Sequence, residues 1–344
     1  MIFTDPYIKN IIASVLLIKM IFWILLIRIA FVCCAKYTKV YTDDNTIYRL
    51  FAVTYASEIE GRPEFCMAAV SAVAYGFSDL NVIGLDRQAQ FAKWRLLDKV
   101  FGLRDFVMSL PKIDQERNLI LFFDAYDVLV NSSPLDLVHR FLKSGQKIMF
   151  ASEKGCSGTK WHVMNRRNTC DDEWPIPTRQ HVSPWINSGV FMGFQQEMRL
   201  LLQEAYIEHK NTLPMVQPGQ IDPYVGAGDQ LLFGHLFAHV DRVREDLQMG
   251  IDVNSDIWKC MYQVQYMDTT DLLIHQGKVS FKGSVYIYPV LIHFNGPPHM
   301  KKEMILHFAK LVQLPSMSEE QWDTVVADTT LAALCRFPDA NSYV

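Results

Sequence analysis

The chain carries no excess of charge of one sign. Its 33 Lys and Arg stand against 37 Asp and Glu, a formal net charge of −4. A basic face of the kind that follows a phosphate backbone is therefore not expected, and neither is a nucleic-acid partner. Internal repeats and low-complexity tracts are missing as well, which sets aside solenoid and tail-like architectures. Cysteine is sparse, with 7 in 344 residues, so the fold is not expected to be built on disulfides. What is abundant is apolar side chain. Half of the residues are hydrophobic, enough to core one large domain or two modest ones.

The longest apolar run is N-terminal. Residues 11–35 are interrupted only by Lys19 and Arg28. Both lie near an end of the run, where a long cation can snorkel. The length suits a membrane-spanning helix. A cleaved signal peptide is the other reading, but the run is longer than a usual apolar core of one and lacks a clear small-residue cleavage site. Lys9 precedes the run and Lys36 and Lys39 follow it, so the positive-inside rule does not fix its orientation. With the globular part C-terminal, a single anchor followed by a lumenal domain is the expected arrangement. Residues 1–10 would be a tail and 36–47 a stem. Cys156 and Cys170 bracket a polar loop and could pair; free buried thiols are the equal alternative. Asn131-Ser132-Ser133 is a glycosylation sequon, meaningful only if the domain is lumenal.

Beyond the stem, strand and helix patterns alternate. Strands are expected at Tyr48–Tyr55, Asn81–Leu85, Leu119–Val130, Lys147–Ala151, Trp185–Phe194 and Val285–Asn295. Helices are expected at Pro63–Tyr75, Gln88–Phe101, Pro134–Lys143, Glu197–His209, Gly226–Phe237 and through 301–334. Residues 156–183 read as a long polar loop and the last ten as a tail. Such alternation argues an α/β domain with a parallel sheet.

Residues 119–130, Leu-Ile-Leu-Phe-Phe-Asp-Ala-Tyr-Asp-Val-Leu-Val, carry the chemistry. A near-continuous apolar run is what a strand buried on both faces looks like. Asp124 and Asp127 break it. Ionised carboxylates beside a core strand are costly unless a cation or hydrogen bonds compensate. A hard divalent metal at the strand's end answers that cost, and such metals commonly hold phosphate-bearing ligands. Alternation would send Tyr126, between the two, to the opposite face, so it joins them only across an irregular turn. Thr54 and Tyr55 end the first strand, where a nucleotide site is expected, though the Tyr55 ring could equally be core. Lys93 and Trp94 lie on a helix.

Taken with Ala151-Ser152-Glu153, Asn187-Ser188-Gly189, Asp229-Gln230-Leu231 and His293-Phe294-Asn295-Gly296-Pro297, this run resembles the glycosyltransferase domain of procollagen lysyl hydroxylases and related collagen-type glycosyltransferases. The resemblance covers about residues 48–300 and leaves out 301–344, expected as a helical extension and tail; hydroxylase domains are not expected in this chain. It implies a GT-A fold, a Rossmann-like α/β domain for nucleotide sugars. It further implies that Asp124, Asp127 and His293 ligate Mn2+, which suits two carboxylates and an imidazole. The ion would bridge the phosphates of a UDP-sugar. Tyr126 would stack on uracil and Lys93 would contact phosphate. Asn187 and Asp229 would bind donor-sugar hydroxyls, Asp229 also giving acid/base or electrostatic support. Asn295 would bind phosphate or order the His293 loop, which Gly296-Pro297 turns. Glu153 is open between packing and acceptor contact. Capping and turn duty is the plainer alternative for the Asx residues.

The pattern departs from the family before Asp229. An acidic run is replaced by Tyr224-Val225-Gly226-Ala227-Gly228, so donor sugar and acceptor do not carry over. The leading expectation is a single-pass, type II membrane glycosyltransferase of the Golgi or endoplasmic reticulum. It would move a hexose from UDP-glucose or UDP-galactose to a glycoprotein or collagen-like acceptor. The runner-up is an inactive GT-A-fold binding or scaffold protein. A metal-dependent phosphohydrolase is a third reading, in which Asn187-Ser188-Gly189 and His293–Pro297 have no task.

Overall fold

A computed structural model describes residues 35–59, 62–85, 95–155, 184–212, 223–239, 241–261, 272–275, 278–281, 288–295, 316–326 and 329–335. The expected anchor, apart from Ala35, lies outside the described residues, as do Cys156, Cys170, Lys93 and Gly296. Among the described residues no helix is long and apolar enough to cross a membrane.

The chain enters a sheet through β1 (Thr38–Tyr41) and β2 (Ile47–Tyr55). Helix α1 (Pro63–Ala74) starts with Pro at its first position, where no backbone donor is needed. It leads to β3 (Leu80–Ile83) and α2 (Arg95–Ser109). The apolar run then forms β4 (Asn118–Asp124) and, after a bend, the separate β5 (Val128–Val130). Helix α3 (Pro134–Lys143) follows. Its cap, Ser133, accepts from the Asp136 N–H, worth about 1 kcal/mol. Next come β6 (Ile148–Glu153), β7 (Trp185–Phe194), α4 (Gln195–Thr212) and α5 (Pro223–His239). Short strands β8 (Met249–Ile251), β9 (Trp258–Cys260), β10 (Leu272–His275), β11 (Lys278–Phe281) and β12 (Leu291–His293) complete the sheets.

The main sheet has seven strands in the order β1-β2-β4-β7-β6-β8, with β3 also on β2. It is mixed, not parallel as expected. β2, β3 and β4 run parallel, but β7 lies antiparallel between β4 and β6. Every residue of β7 is buried, and a strand covered on both faces carries no pattern that reveals its direction. Apolar cores lie on both faces. Phe65, Phe77, Leu121, Phe123, Phe141 and Trp258 lie in one; Phe122, Phe150, Phe191 and Leu103 lie in the other, with α2, α4 and α5.

A second sheet of three strands, β5-β12-β9, positions the site. β12 runs antiparallel to β5, with His293 opposite Val128, and parallel to β9, with His293 opposite Cys260. Several polar ties hold the chain entering β12. Arg140 of α3 donates to the carbonyls of Asp256 and Tyr288. Asn131 donates to Val279 O and Pro289 O and accepts from the Val279 N–H. Asn131 is fully buried, so in the folded protein the sequon is a structural clamp.

Other expectations shift. The supposed stem supplies β1 and so belongs to the sheet. Of the expected helical extension through 301–334, residues 301–315 lie outside the described residues. Those described beyond them hold short helices at Glu319–Trp322 and, as α6, Leu331–Cys335, with a two-stranded ribbon between them. Val326 and Leu331 are buried in the core beside α1.

A disulfide joins Cys66 of α1 to Cys335 of α6. A bridge that closes so long a loop restricts the unfolded chain, an effect of typically about 2–4 kcal/mol. Replacing both cysteines by Ala is expected to lower unfolding stability by about that amount. Denaturant titration of wild type and variant, each with and without reductant, checks this; a variant as stable as the oxidised wild type would show the bridge contributes nothing.

Candidate metal site

Asp124 is the last residue of β4, and the chain bends through 125–127 before β5. The bend lets Asp127 turn back beside Asp124. The Phe294 N–H donates to the Asp127 carbonyl at 2.7 Å, and the Met261 N–H to that of His293 at 2.9 Å. Two residues far apart in sequence therefore meet by strand register. His293 Nε2 lies 3.4 Å from Asp127 Oδ2 and 3.7 Å from Asp124 Oδ2. One ligand atom from each of the three residues falls within 4.8 Å of the others. A hard divalent ion sits about 2.1 Å from its oxygens, so one ion can span this set. Asp127 is 4% and His293 2% exposed.

The hydrogen bonds around the imidazole show which nitrogen is free. Asn187 donates its amide to Glu153 at 3.0 Å, so its carbonyl oxygen faces the other way. That oxygen accepts the Gly189 N–H at 2.9 Å and lies 2.9 Å from His293 Nδ1. Nδ1 must then carry the proton. In the neutral ring Nε2 is then a buried lone pair with no hydrogen-bond partner among the described residues, aimed at two carboxylates. Lone pair and anions repel unless a cation lies between them. The donor set thus fits a divalent metal, with Asn187 fixing the tautomer as outer partners of metal-bound His do.

Asn187 does not reach outward to a sugar as expected; its amide and carbonyl are committed inside. β7 bulges here, since Phe150 pairs Phe191 while Ala151 pairs Asn187, and bulges re-aim side chains near sites. The imidazole lies so close over Gly189 that a Cβ there would overlap the ring. Glu153 accepts from Asn187, Gln230 and Asn295. Burial pushes its carboxyl up against these three donors. The Asn295 amide is engaged by Glu153 and so ties down the chain just after His293.

On the other side of Asp124 lies Lys99 of α2, a residue that the sequence reading passed over for Lys93. Its ammonium is 2.8 Å from Asp124 Oδ1 and 2.8 Å from Asp229 Oδ2. Burial opposes its charge, but the two carboxylates more than offset this and hold its pKa above the usual lysine value. Burial pushes the Asp124 carboxyl up while Lys99 beside it opposes that shift, so this corner of the pocket is rich in carboxylates that a cation would stabilise. Lys99 could have been found from the stripe Lys99, Leu103, Phe106, Leu110, all buried and at helical spacing.

Tyr126 and Tyr55 flank the aspartates. The Tyr126 hydroxyl donates to Glu58 O at 2.7 Å, and the Arg62 guanidinium lies 5.7 Å from its ring centre. Tyr55 pairs Asp124 in register, and its ring packs on Gly84 and Gly102. Thr54 is buried and donates to Phe123 O at 2.8 Å, next to Asp124 at the end of β4.

The family model described as the PLOD GT domain matches residues 49–311. The rat multifunctional procollagen lysine hydroxylase and glycosyltransferase LH3 (Rattus norvegicus) is 26% identical over 189 residues, 54% of this chain and 22% of that protein. The chicken procollagen-lysine,2-oxoglutarate 5-dioxygenase 1 (Gallus gallus) is 23% identical over 227 residues, 66% of this chain and 26% of that one. The chain thus spans about a quarter or less of these relatives. The crystal structure of mouse xyloside xylosyltransferase 1, apo form, aligns over 72% of this chain and 97% of its own, with 14% identity and a TM-score of 0.39. That likeness is too weak to build on.

Gly189→Ala is expected to push the imidazole from its place and weaken divalent-metal affinity about 10- to 100-fold. Titration calorimetry with Mn2+ measures it; wild-type affinity would show that the close approach to Gly189 does not set the ligand.

Proposed function

We propose, from the premise that this chain belongs to the PLOD GT domain family, that it is a metal-dependent glycosyltransferase moving a hexose from a UDP-sugar to a protein or glycan acceptor. One observation carries the proposal. At the ends of β4 and β12, two carboxylates and an imidazole lone pair converge on one point. Ligands of open α/β sheets bind at such strand ends.

Asp124, Asp127 and His293 would hold the ion, for which Mn2+ is the best match to this donor set. When bound, it supplies Lewis-acid stabilisation to a departing diphosphate. The chain's own groups do the rest. Asn187 keeps the His293 lone pair directed inward. Tyr55 and Tyr126 stand where the nucleoside would lie. Asp229, which pairs with Lys99 next to Asp124, would hold donor-sugar hydroxyls or give acid/base or electrostatic support. Lys93 and Gly296 are assigned phosphate contact and turning of the chain on resemblance alone. UDP-glucose and UDP-galactose are the proposed donors, and a glycoprotein or collagen-like chain the proposed acceptor.

We place the protein in the Golgi or endoplasmic reticulum, as a single-pass type II membrane protein with its domain in the lumen. The apolar run at 11–35 supports this, and so does the Cys66–Cys335 bridge, since disulfides persist in oxidising compartments.

A second reading, an inactive binding or scaffold domain, draws on Tyr126. Its hydroxyl is held by Glu58 and its ring by Arg62, so stacking on a base requires a rearrangement there. Hydrolysis assays with a panel of UDP-sugars, with Mn2+ or with EDTA, separate the two. A transferase is expected to release UDP from UDP-glucose or UDP-galactose only with metal. UDP binding without release from any donor would favour the inactive domain. Asp127→Ala should lower metal-dependent UDP release by at least about a hundredfold, the upper end for loss of an outer partner of a ligand. Its circular dichroism should be unchanged, and wild-type turnover would remove Asp127 from the ligand set.

A further inference from the structure

The buried ammonium of Lys99 is not explained by support of the fold alone. It lies between two carboxylates on different elements, Asp124 at the end of β4 and Asp229 on α5. A buried ion pair seldom beats well-packed apolar groups in stability, so its use here points to placement. The oxygens are divided between tasks. Oδ1 of Asp124 faces Lys99, while Oδ2 faces His293.

Asp229 arrives by way of a kink in its helix. α5 is kinked at Gly228, with φ 62 and ψ −142, a region that only glycine enters readily. A Cβ on Gly228 would meet the side chain of Leu96 at 2.5 Å. Leu96 precedes Lys99 by one helical turn, so the two contacts are neighbours on one face of α2. The backbone of α5 thus docks on α2 at Gly228, and the next residue, Asp229, meets Lys99. Gly228 thus has a physical task in this docking.

We propose that Lys99 is a positioning residue that couples the metal ligands to Asp229. It holds Asp124 in a one-oxygen presentation and fixes Asp229, delivered by the Gly228 kink, beside the donor sugar. This rests on the transferase reading above. In its absence the acidic pocket would have no internal counter-ion, and Asp229 would lose its tether.

Lys99→Met and Lys99→Arg test it, with thermal melting, Mn2+ calorimetry and UDP-sugar turnover measured on each. For Lys99→Met, Mn2+ should raise the melting temperature more than in wild type, because the ion is then the pocket's sole cation. Turnover should fall at least about tenfold, the lower end for an outer partner of a metal site, with KM for the donor little changed. Lys99→Arg, which keeps the charge but not the shape, should recover part of that turnover. Equal loss of melting temperature with and without Mn2+, or turnover within about threefold of wild type, well inside the tenfold lower end, would overturn the proposal. If Lys99→Met does not fold, Lys99→Arg decides: lowered turnover with wild-type Mn2+ affinity supports it, and wild-type turnover overturns it. Failure of the transferase reading looks different, because wild type itself would then show no turnover with any donor, whether or not it binds Mn2+.

Discussion

The site depends on an unfavourable contact held in place by its surroundings. The Nε2 of a buried imidazole faces two carboxylates, and among the described residues it has no hydrogen-bond partner. Burying such groups together opposes folding unless a cation joins them. The second sheet supplies the force that brings them together. β12 is zipped between β5 and β9, and Arg140 and Asn131 fasten the chain that enters it. Packing and backbone hydrogen bonds thus fix the electrostatic arrangement in advance, as preorganised sites require.

Around this centre the polar groups form one connected set. Glu153 takes amides from Asn187, Gln230 and Asn295. Asn187 passes that order to His293, and Lys99 closes the opposite side. A buried network of this kind specifies one arrangement when its members are satisfied. The residues come from β6, β7, α2, α5 and the ends of β4 and β12, so the site records the register of most of the domain.

Much of this was legible in the sequence, and the reasons differ by residue. Asp124 and Asp127 stood out because they interrupt an apolar run that has no need of them. Pro134–Lys143 and Trp185–Phe194 were found with their observed bounds, the helix from its Ser-Pro start and the strand from its apolar run. The direction of β7 was hidden because both its faces are buried. The break between β4 and β5 was hidden because the two strands share one apolar run yet pair in different sheets. Lys99 was missed because a lysine on a helix reads as solvated surface unless its place in the buried stripe is checked. Cys66 and Cys335 pair across most of the domain, and no spacing rule connects cysteines so far apart. The commitment of Asn187 to Glu153 and His293 depends on a bulge that only the folded strand reveals.

The burial of Asn131 has a bearing on how the protein matures. Its amide is enclosed by β11 and the chain before β12, with no room for a sugar tree. If the nascent polypeptide enters the lumen, an oligosaccharide added there during synthesis would keep the β11 segment from closing over that residue. Attachment and correct closure are therefore mutually exclusive fates, and the relative speed of the two would set the yield of competent molecules.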